Sequence, residues 1–557
     1  MCYRTLVFIL PVTCALPLTA TAQNPIQTEN ALAGTTSWML GSADNSAVTG
    51  YASATSIDHC SATPLQLFIS STSPFVFVHV YRLGWYGGAG GRLVSGPILV
   101  AGGTQPTPTP DAITRMIECN WTASATIQPT CSWVSGQYVA VLTNFLGGAQ
   151  SYVPFVVRDD ARPSLLLYQA SVSTWQAYNP WGGKSLYGYN STDDDGDGEG
   201  DAALVVSFDR PYADGFGSGQ LFSYEINMIH WLEREGYDVT YGTNIDAHRD
   251  LAFLVRHQAL LSVGHDEYWS WEMRSNFEAA RDLGINLGFF SANSVYWQIR
   301  LDPDGNGVPN RRIVEYRDSA GAIDPLALDG NPSNDYLITR LWRENTVKPP
   351  ENQLIGVMYD GNLYPVLGDY TVSNAAHWVF AGTGLHNGDR LPGLVGYEAD
   401  HFFPPGPSGV QVVASSIPLR TDTNQPAPLS SDSSVYSATS GATVFATGTI
   451  QWAWGLDDLN GHPDFAHPPL SSPAAQQITR NVLARLAQSP LGGTWVDFTY
   501  AGTETGGFTQ PFNTLAEGVA AAAGGTVRIK AGVSSERLTL WQPALLTAWN
   551  GSALVGP

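Results

Sequence analysis

Basic residues are scarce. The chain of 557 residues carries 27 Lys and Arg against 49 Asp and Glu, a formal net charge of −22. A surface of that sign cannot neutralise phosphates, which excludes an electrostatic nucleic-acid binder. Charged residues of both signs make up only 14%, where globular chains average about 25%. Cysteine is rare too, with five in all. That is too few for a disulfide scaffold, and no C-x-x-C spacing offers a zinc pattern. The chain has no H-E-x-x-H, no G-x-S-x-G, no P-loop and no dinucleotide fingerprint, which argues against zincins, ordinary serine hydrolases and nucleotide enzymes. Past the N-terminus no apolar run nears the ~20 residues of a bilayer span. What is plentiful is apolar and turn-forming: hydrophobic residues reach 43%, with Gly 57, Pro 36, Trp 17 and Tyr 24. Such a composition excludes disorder over most of the length and favours turns and β structure. The length allows three or four domains.

Residues 1–22 read as a secretory signal peptide. Arg4 precedes an apolar run from Leu6 to Leu18, and Ala20-Thr21-Ala22 supplies a cleavage site before Gln23. The expected location is therefore secreted, extracellular or periplasmic. Cys2 and Cys14 leave with the signal. Cys119 and Cys131 are near enough to close a short loop in an oxidising compartment, with Cys60 left over. Residues 31–157 alternate short apolar stretches with Gly, Ser and Pro turns, the pattern of a β-sandwich. Residues 158–163 read as a linker. Residues 164–490 alternate strand and helix patterns, which predicts an α/β domain with a mainly parallel sheet. Residues 494–557 resemble the opening of a right-handed parallel β-helix. So few rungs cannot bury a core alone; the expectation is either that the chain is a fragment or that this cap packs on the neighbouring domain.

In an open parallel sheet, ligands bind beyond the carboxyl ends of the strands. The apolar run 259–263 exits into Gly264-His265-Asp266-Glu267-Tyr268-Trp269, and the run 285–290 exits into Ser291-Ala292-Asn293-Ser294. The helix predicted between them makes the two strands parallel and places His265, Glu267 and Asn293 on one rim. In an extended segment His265 and Glu267 point the same way. That pair suits metal ligation or acid–base work, or equally the capping of the next helix. The aromatic stretch 174–187 follows another strand, and unaided it reads as packing or as a sugar-stacking loop. Residues 193–198 (Asp193-Asp194-Asp195-Gly196-Asp197-Gly198) match half of a calcium loop, but Leu204 holds its twelfth position. Residues 302–307 show a similar partial pattern. Adventitious acidic loops are the commoner reading of both, and calcium is the ion they would take.

Several long segments, in order, resemble one family: residues 81–88 (Tyr81-Arg82-Leu83-Gly84-Trp85-Tyr86-Gly87-Gly88), 175–187, 264–269, 391–398 and 448–455. Over roughly residues 30–490 the chain resembles the large (beta) subunit of N,N-dimethylformamidase; the tail lies outside the resemblance. The resemblance implies a β-sandwich followed by a domain similar to class I glutamine amidotransferases. It also implies a mononuclear non-haem iron, ferric in state, held by two Tyr and one Glu. By position these are Tyr178, Tyr187 and Glu267, with Tyr224 in reserve. By the same resemblance the catalytic residues are His265, Asn293 and Glu398, with His265 or Glu398 expected to move protons to the leaving amine. Arg317 stands where the family tends to have Lys, and the two are not interchangeable. A small partner subunit is implied as well, and a homo-oligomer is the other arrangement to expect. Phenolate and carboxylate oxygens are hard ligands that suit ferric iron. The expectation is thus a secreted, iron-dependent hydrolase of an amide C–N bond, acting on a small amide. The rival is a secreted carbohydrate-binding or surface protein, taking a glycan, whose amidase-like domain is idle.

Overall fold

A computed structural model describes residues 23–362, 368–418, 429–460, 467–488, 493–508, 510–540 and 543–556. The signal segment expected over residues 1–22 lies outside the described residues. Among these residues no helix is long and apolar enough to cross a membrane.

The first layer pair comes from strands with period-two patterning. Leu65, Leu67, Ile69 and Ser71 of strand Leu65–Ser71 are buried in alternation, as one-sided burial requires. This strand lies between Val48–Ala52 and Ala123–Ile127. Facing it is a five-stranded sheet in the order Ser56–Asp58, Gln150–Arg158, Gly136–Asn144, Phe75–Leu83, Gly91–Ala101. Leu67, Val78, Leu142 and Phe155 share the core between them.

The second unit is built on seven strands in the order Val239–Thr243, Leu166–Ala170, Ala259–His265, Asn286–Ala292, Thr443–Ala446, Ser431–Ser437, Gln411–Ser416. The first five run parallel and the last two pair antiparallel. Every residue of Ala259–His265 and Asn286–Ala292 is buried. That explains their continuous apolar runs, because helices cover both faces of such strands. The connecting helix Trp271–Asp282 is capped by Ser270, whose side chain accepts from the Met273 amide at 3.1 Å. The cap is therefore neither His265 nor Glu267.

The two units are clamped by a buried ion pair. Arg82 donates to both oxygens of Glu233 at 2.8 and 2.7 Å, and both side chains are fully shielded from solvent. Asn30 and Tyr241 also donate to Glu233, each at 2.8 Å. Residue 84 must be glycine, since a Cβ there would run into the Glu233 carboxylate. The conspicuous 81–88 motif thus holds domains together and lies apart from the chemistry.

The disulfide differs from the sequence expectation. Cys60 bonds Cys131, and Cys119 is a buried free thiol. The reason is sheet order. Cys60 follows strand Ser56–Asp58 and Cys131 precedes Gly136–Asn144, and both strands flank Gln150–Arg158. Cys119 instead packs on Tyr51 and Trp121, and its amide donates to the Asp209 carbonyl at 2.7 Å. The C-terminal strands Thr494–Val496, Thr526–Ser534 and Leu545–Val555 run parallel. Trp495, Phe508 and Trp549 pack edge to face at 4.9–5.4 Å, and Trp549 Nε1 donates to the Leu283 carbonyl at 3.2 Å. That is how the segment seats on its neighbour.

Candidate active site

Near the end of strand Ala259–His265, Gly264 has a φ of +71°, with a would-be Cβ only 2.6 Å from Tyr224 Cβ. Only glycine fits there, and it lets the chain turn so that His265 and Glu267 face one place. Asp266, between them, is buried and accepts from Gln169, Ser262 and Asn244 at 2.8–2.9 Å. The Glu267 amide donates to Thr174 Oγ1 at 2.9 Å. On the neighbouring strand the exit is strained. Asn293 and Val295 have φ of +48° and +57°, and a β-branched residue rarely adopts such a value. Hydrogen bonds hold them: Val295 N to the Asp266 carbonyl, Asn293 N to Asp400, and Tyr296 N to the Glu267 carbonyl, at 2.7–3.0 Å. One exit loop is thereby stitched to the other.

Helix Val172–Tyr178 and the loop after it bring two phenols to Glu267. Tyr178 donates at 2.7 Å, and Tyr187 reaches both carboxylate oxygens at 2.9 and 3.1 Å. Their rings lie 4.2 Å apart, centroid to centroid. Tyr268 donates to the Tyr187 oxygen at 2.7 Å, and Arg317 donates to the Tyr268 oxygen. The Arg317 guanidinium also stacks on Tyr187 and Trp297 at 4.1 and 4.5 Å. Burial, then the Glu267 charge, raises the Tyr178 and Tyr187 phenols well above their ordinary range. Tyr224 stands across His265, ring to ring at 6.4 Å, beside Tyr397 and Trp454. It sits in the same cavity but apart from the two phenols on Glu267.

His265 lies behind the cavity wall, fully buried. Its Nε2 is 2.8 Å from Glu398 and 3.3 Å from Glu267. Burial opposes its charge, but Glu398 and Glu267 outweigh burial and push it up to about 10. Neither ring nitrogen makes a well-directed hydrogen bond, so these contacts are ion pairs by distance. Asn293 Nδ2 donates to Glu398 at 2.9 Å, and its carbonyl oxygen has no partner. Glu267, Glu398 and Asn293 line a cavity of about 760 Å³. The sequence singles out eight of these groups, Tyr178, Tyr187, Tyr224, His265, Glu267, Asn293, Arg317 and Glu398, and the structure gathers all eight in or directly behind one cavity. Sequence reasoning missed Tyr268, although that residue stands inside a quoted motif, and it missed the cavity rings, which come from separate loops with no shared pattern.

Tyr178, Tyr187 and Glu267 fit a hard trivalent cation. Four oxygens converge, all of hard type, from residues that an ion could deprotonate. The acidic loop is another matter. Asp193, Asp195 and Asp197 are the one group of three or more His, Cys, Asp or Glu residues whose ligand atoms all lie within 4.8 Å of one another among the described residues, and they are exposed. Asp193 is already accepting from the Gly196 and Gly198 amides at 2.6 and 2.9 Å. In the second loop Asp304 accepts from the Asn306 and Val308 amides at 2.8 and 2.7 Å. Both behave as self-satisfied turns.

Residues 77–465 match the family described as N,N-dimethylformamidase beta subunit-like, C-terminal. The chain belongs to this family. An N,N-dimethylformamidase beta subunit from Paracoccus aminophilus is 24% identical over 347 residues, which is 54% of this chain and 42% of that one. Another, from Alcaligenes sp, is 28% identical over 131 residues, 22% of this chain and 16% of that one. The chain thus spans less than half the length of the curated relatives it matches. Within the family match fall the clamp residues Arg82 and Glu233, the two phenols, both exit loops and Glu398.

Proposed function

We propose that this protein hydrolyses an amide C–N bond with a mononuclear ferric iron held by Tyr178, Tyr187 and Glu267. The observation that carries the reading is the convergence of two buried phenols on one carboxylate, beside a second, His265-paired carboxylate. When bound, the iron would act as a Lewis acid toward the amide carbonyl and a water. The chain's own residues do the rest. Glu398 lines the cavity and is fixed from two sides, by His265 at 2.8 Å and by Asn293 at 2.9 Å. It is placed to take a proton from water and return it to the leaving nitrogen. His265 holds positive charge against both carboxylates and thereby sets their orientation. Tyr268 and Arg317 fix the Tyr187 oxygen from behind. In the net reaction water adds to the carbonyl carbon, the C–N bond breaks, and the products are a carboxylic acid and an amine.

We place the fold of residues 164–490 with class I glutamine amidotransferases, the protein outside the cytoplasm, and a small second subunit beside it. The parallel sheet with its site at the strand ends supports the first, and the relatives' description as beta subunits supports the last. An amide panel tests the function. Purified protein should release amine, and the Glu398→Gln variant should do so at least ~100-fold more slowly. Intact rates in Glu398→Gln would refute the role given to that carboxylate. No amine from any amide would refute the reading.

A further inference from the structure

The cavity over Glu267 is much larger than an amide group. Its 760 Å³ belongs with pockets that enclose drug-sized ligands, roughly 300–1,000 Å³. Its walls are made of rings. Tyr187 meets Tyr189 at 5.5 Å, Tyr296 meets Tyr359 at 5.0 Å, and Tyr224 meets Tyr397 at 6.2 Å. Tyr189 is 75% exposed although it packs on Tyr187, so it marks the mouth. Some of the polar tips of these walls are spent on one another. Tyr178 and Tyr187 bond Glu267, Tyr224 and Tyr397 share a hydrogen bond, and the Arg317 face is taken by Tyr187 and Trp297. The walls are chiefly ring faces and edges, the surfaces on which planar aromatic groups stack.

We propose that the site takes aryl amides, in which a planar aromatic ring system is attached to the amide and lies between the tyrosine walls while the amide reaches Glu267 and Glu398. This rests on the amide-hydrolysis reading above and narrows it. A compact amide such as dimethylformamide leaves most of the cavity to water and gains nothing from the rings. The reaction balances as before: water enters, the C–N bond breaks, and the aromatic part leaves on the amine or stays on the acid.

The full chain would be assayed with N-naphthylacetamide, acetanilide, dimethylformamide and N-acetylglucosamine. The expected kcat/KM for the naphthyl amide exceeds that for dimethylformamide by roughly 100-fold, about tenfold for each of two ring contacts. Tyr359→Ala and Tyr189→Ala should each shrink that ratio by roughly tenfold. Equal or better turnover of dimethylformamide or N-acetylglucosamine overturns the proposal. If no amide is hydrolysed, the amidase reading falls, and binding alone decides the present one. Quenching of tryptophan emission by N-naphthylacetamide that saturates below roughly 100 μM, and weakens in Tyr359→Ala, sustains it. Absence of saturable quenching overturns it.

Discussion

Glu233→Gln is the sharpest test of the physical account, because the expected loss follows from a closed environment. The wild-type carboxylate receives two hydrogen bonds from Arg82 and one each from Asn30 and Tyr241, and neither charged side chain is exposed. Gln keeps the volume but removes the charge, and it leaves the Arg82 cation buried without a counter-ion. Breaking a buried pair in this way costs about 3–5 kcal/mol. The pair joins strand Phe75–Leu83 to helix Ile226–Arg234, so the loss should fall on docking of the two units. Denaturant unfolding followed by tryptophan emission should show an earlier transition. The double variant Arg82→Met/Glu233→Leu should recover most of the loss, since well-packed apolar replacements of buried pairs are often neutral. A coupling energy of ~2 kcal/mol or more is expected from the cycle. If Glu233→Gln costs less than ~1 kcal/mol, or if the double variant is worse than the single ones summed, the clamp argument is wrong.

Three further outcomes are expected. Cys60→Ser should lower unfolding stability under oxidising conditions by about 4 kcal/mol, the loop-entropy value for so long a closed loop, since 71 residues separate the two cysteines; equal curves for the variant and the oxidised wild type would contradict the assigned bridge. Stability should decline as pH rises from 4.5 toward 8, because burial pushes Glu225 up to about 8 and the folded chain keeps a proton that the unfolded chain has released. The slope from this group is at most about 1.4 kcal/mol per pH unit, Glu315 and Asp400 add to it in the same sense, and Glu225→Gln should flatten the curve measured by denaturant titration. Tyr268→Phe removes the hydroxyl that holds the Tyr187 oxygen at 2.7 Å; iron affinity should fall by roughly tenfold, the worth of one supporting hydrogen bond, and unchanged retention against a chelator would show that Tyr268 only packs.

Some of this was legible in the sequence because a periodic signal matched a simple burial pattern. The runs at 259–263 and 285–290 stand as adjacent parallel strands, Val263 beside Phe290, since strands buried on both faces must be apolar throughout. Their exit loops carry His265, Glu267 and Asn293, as the strand-end rule anticipates. The apolar residues of 221–236 keep one helical spacing, yet the structure splits the stretch into a π-turn over Leu221–Glu225 and an α-helix over Ile226–Arg234. A local bulge leaves the apolar face unchanged, so periodicity could not show it. The disulfide was misread because sequence distance carries no information about sheet order. The partner of Arg82 was invisible, since 151 residues separate it from Glu233 and nothing in the sequence around Glu233 marks it out. His265 read as a residue on the rim, whereas it stands behind Glu267 and Glu398. Alternation gives the side a residue faces but not its depth.

The proposed iron site rests on Tyr178, Tyr187 and Glu267 acting together. Elemental analysis of purified protein grown with iron, read beside its visible spectrum, tests it most directly. Close to one iron per chain and a phenolate charge-transfer colour are expected, both lost in Glu267→Ala and the colour weakened in Tyr178→Phe and Tyr187→Phe. Protein that is folded, iron-free and colourless, or an iron content that Glu267→Ala leaves unchanged, would contradict it.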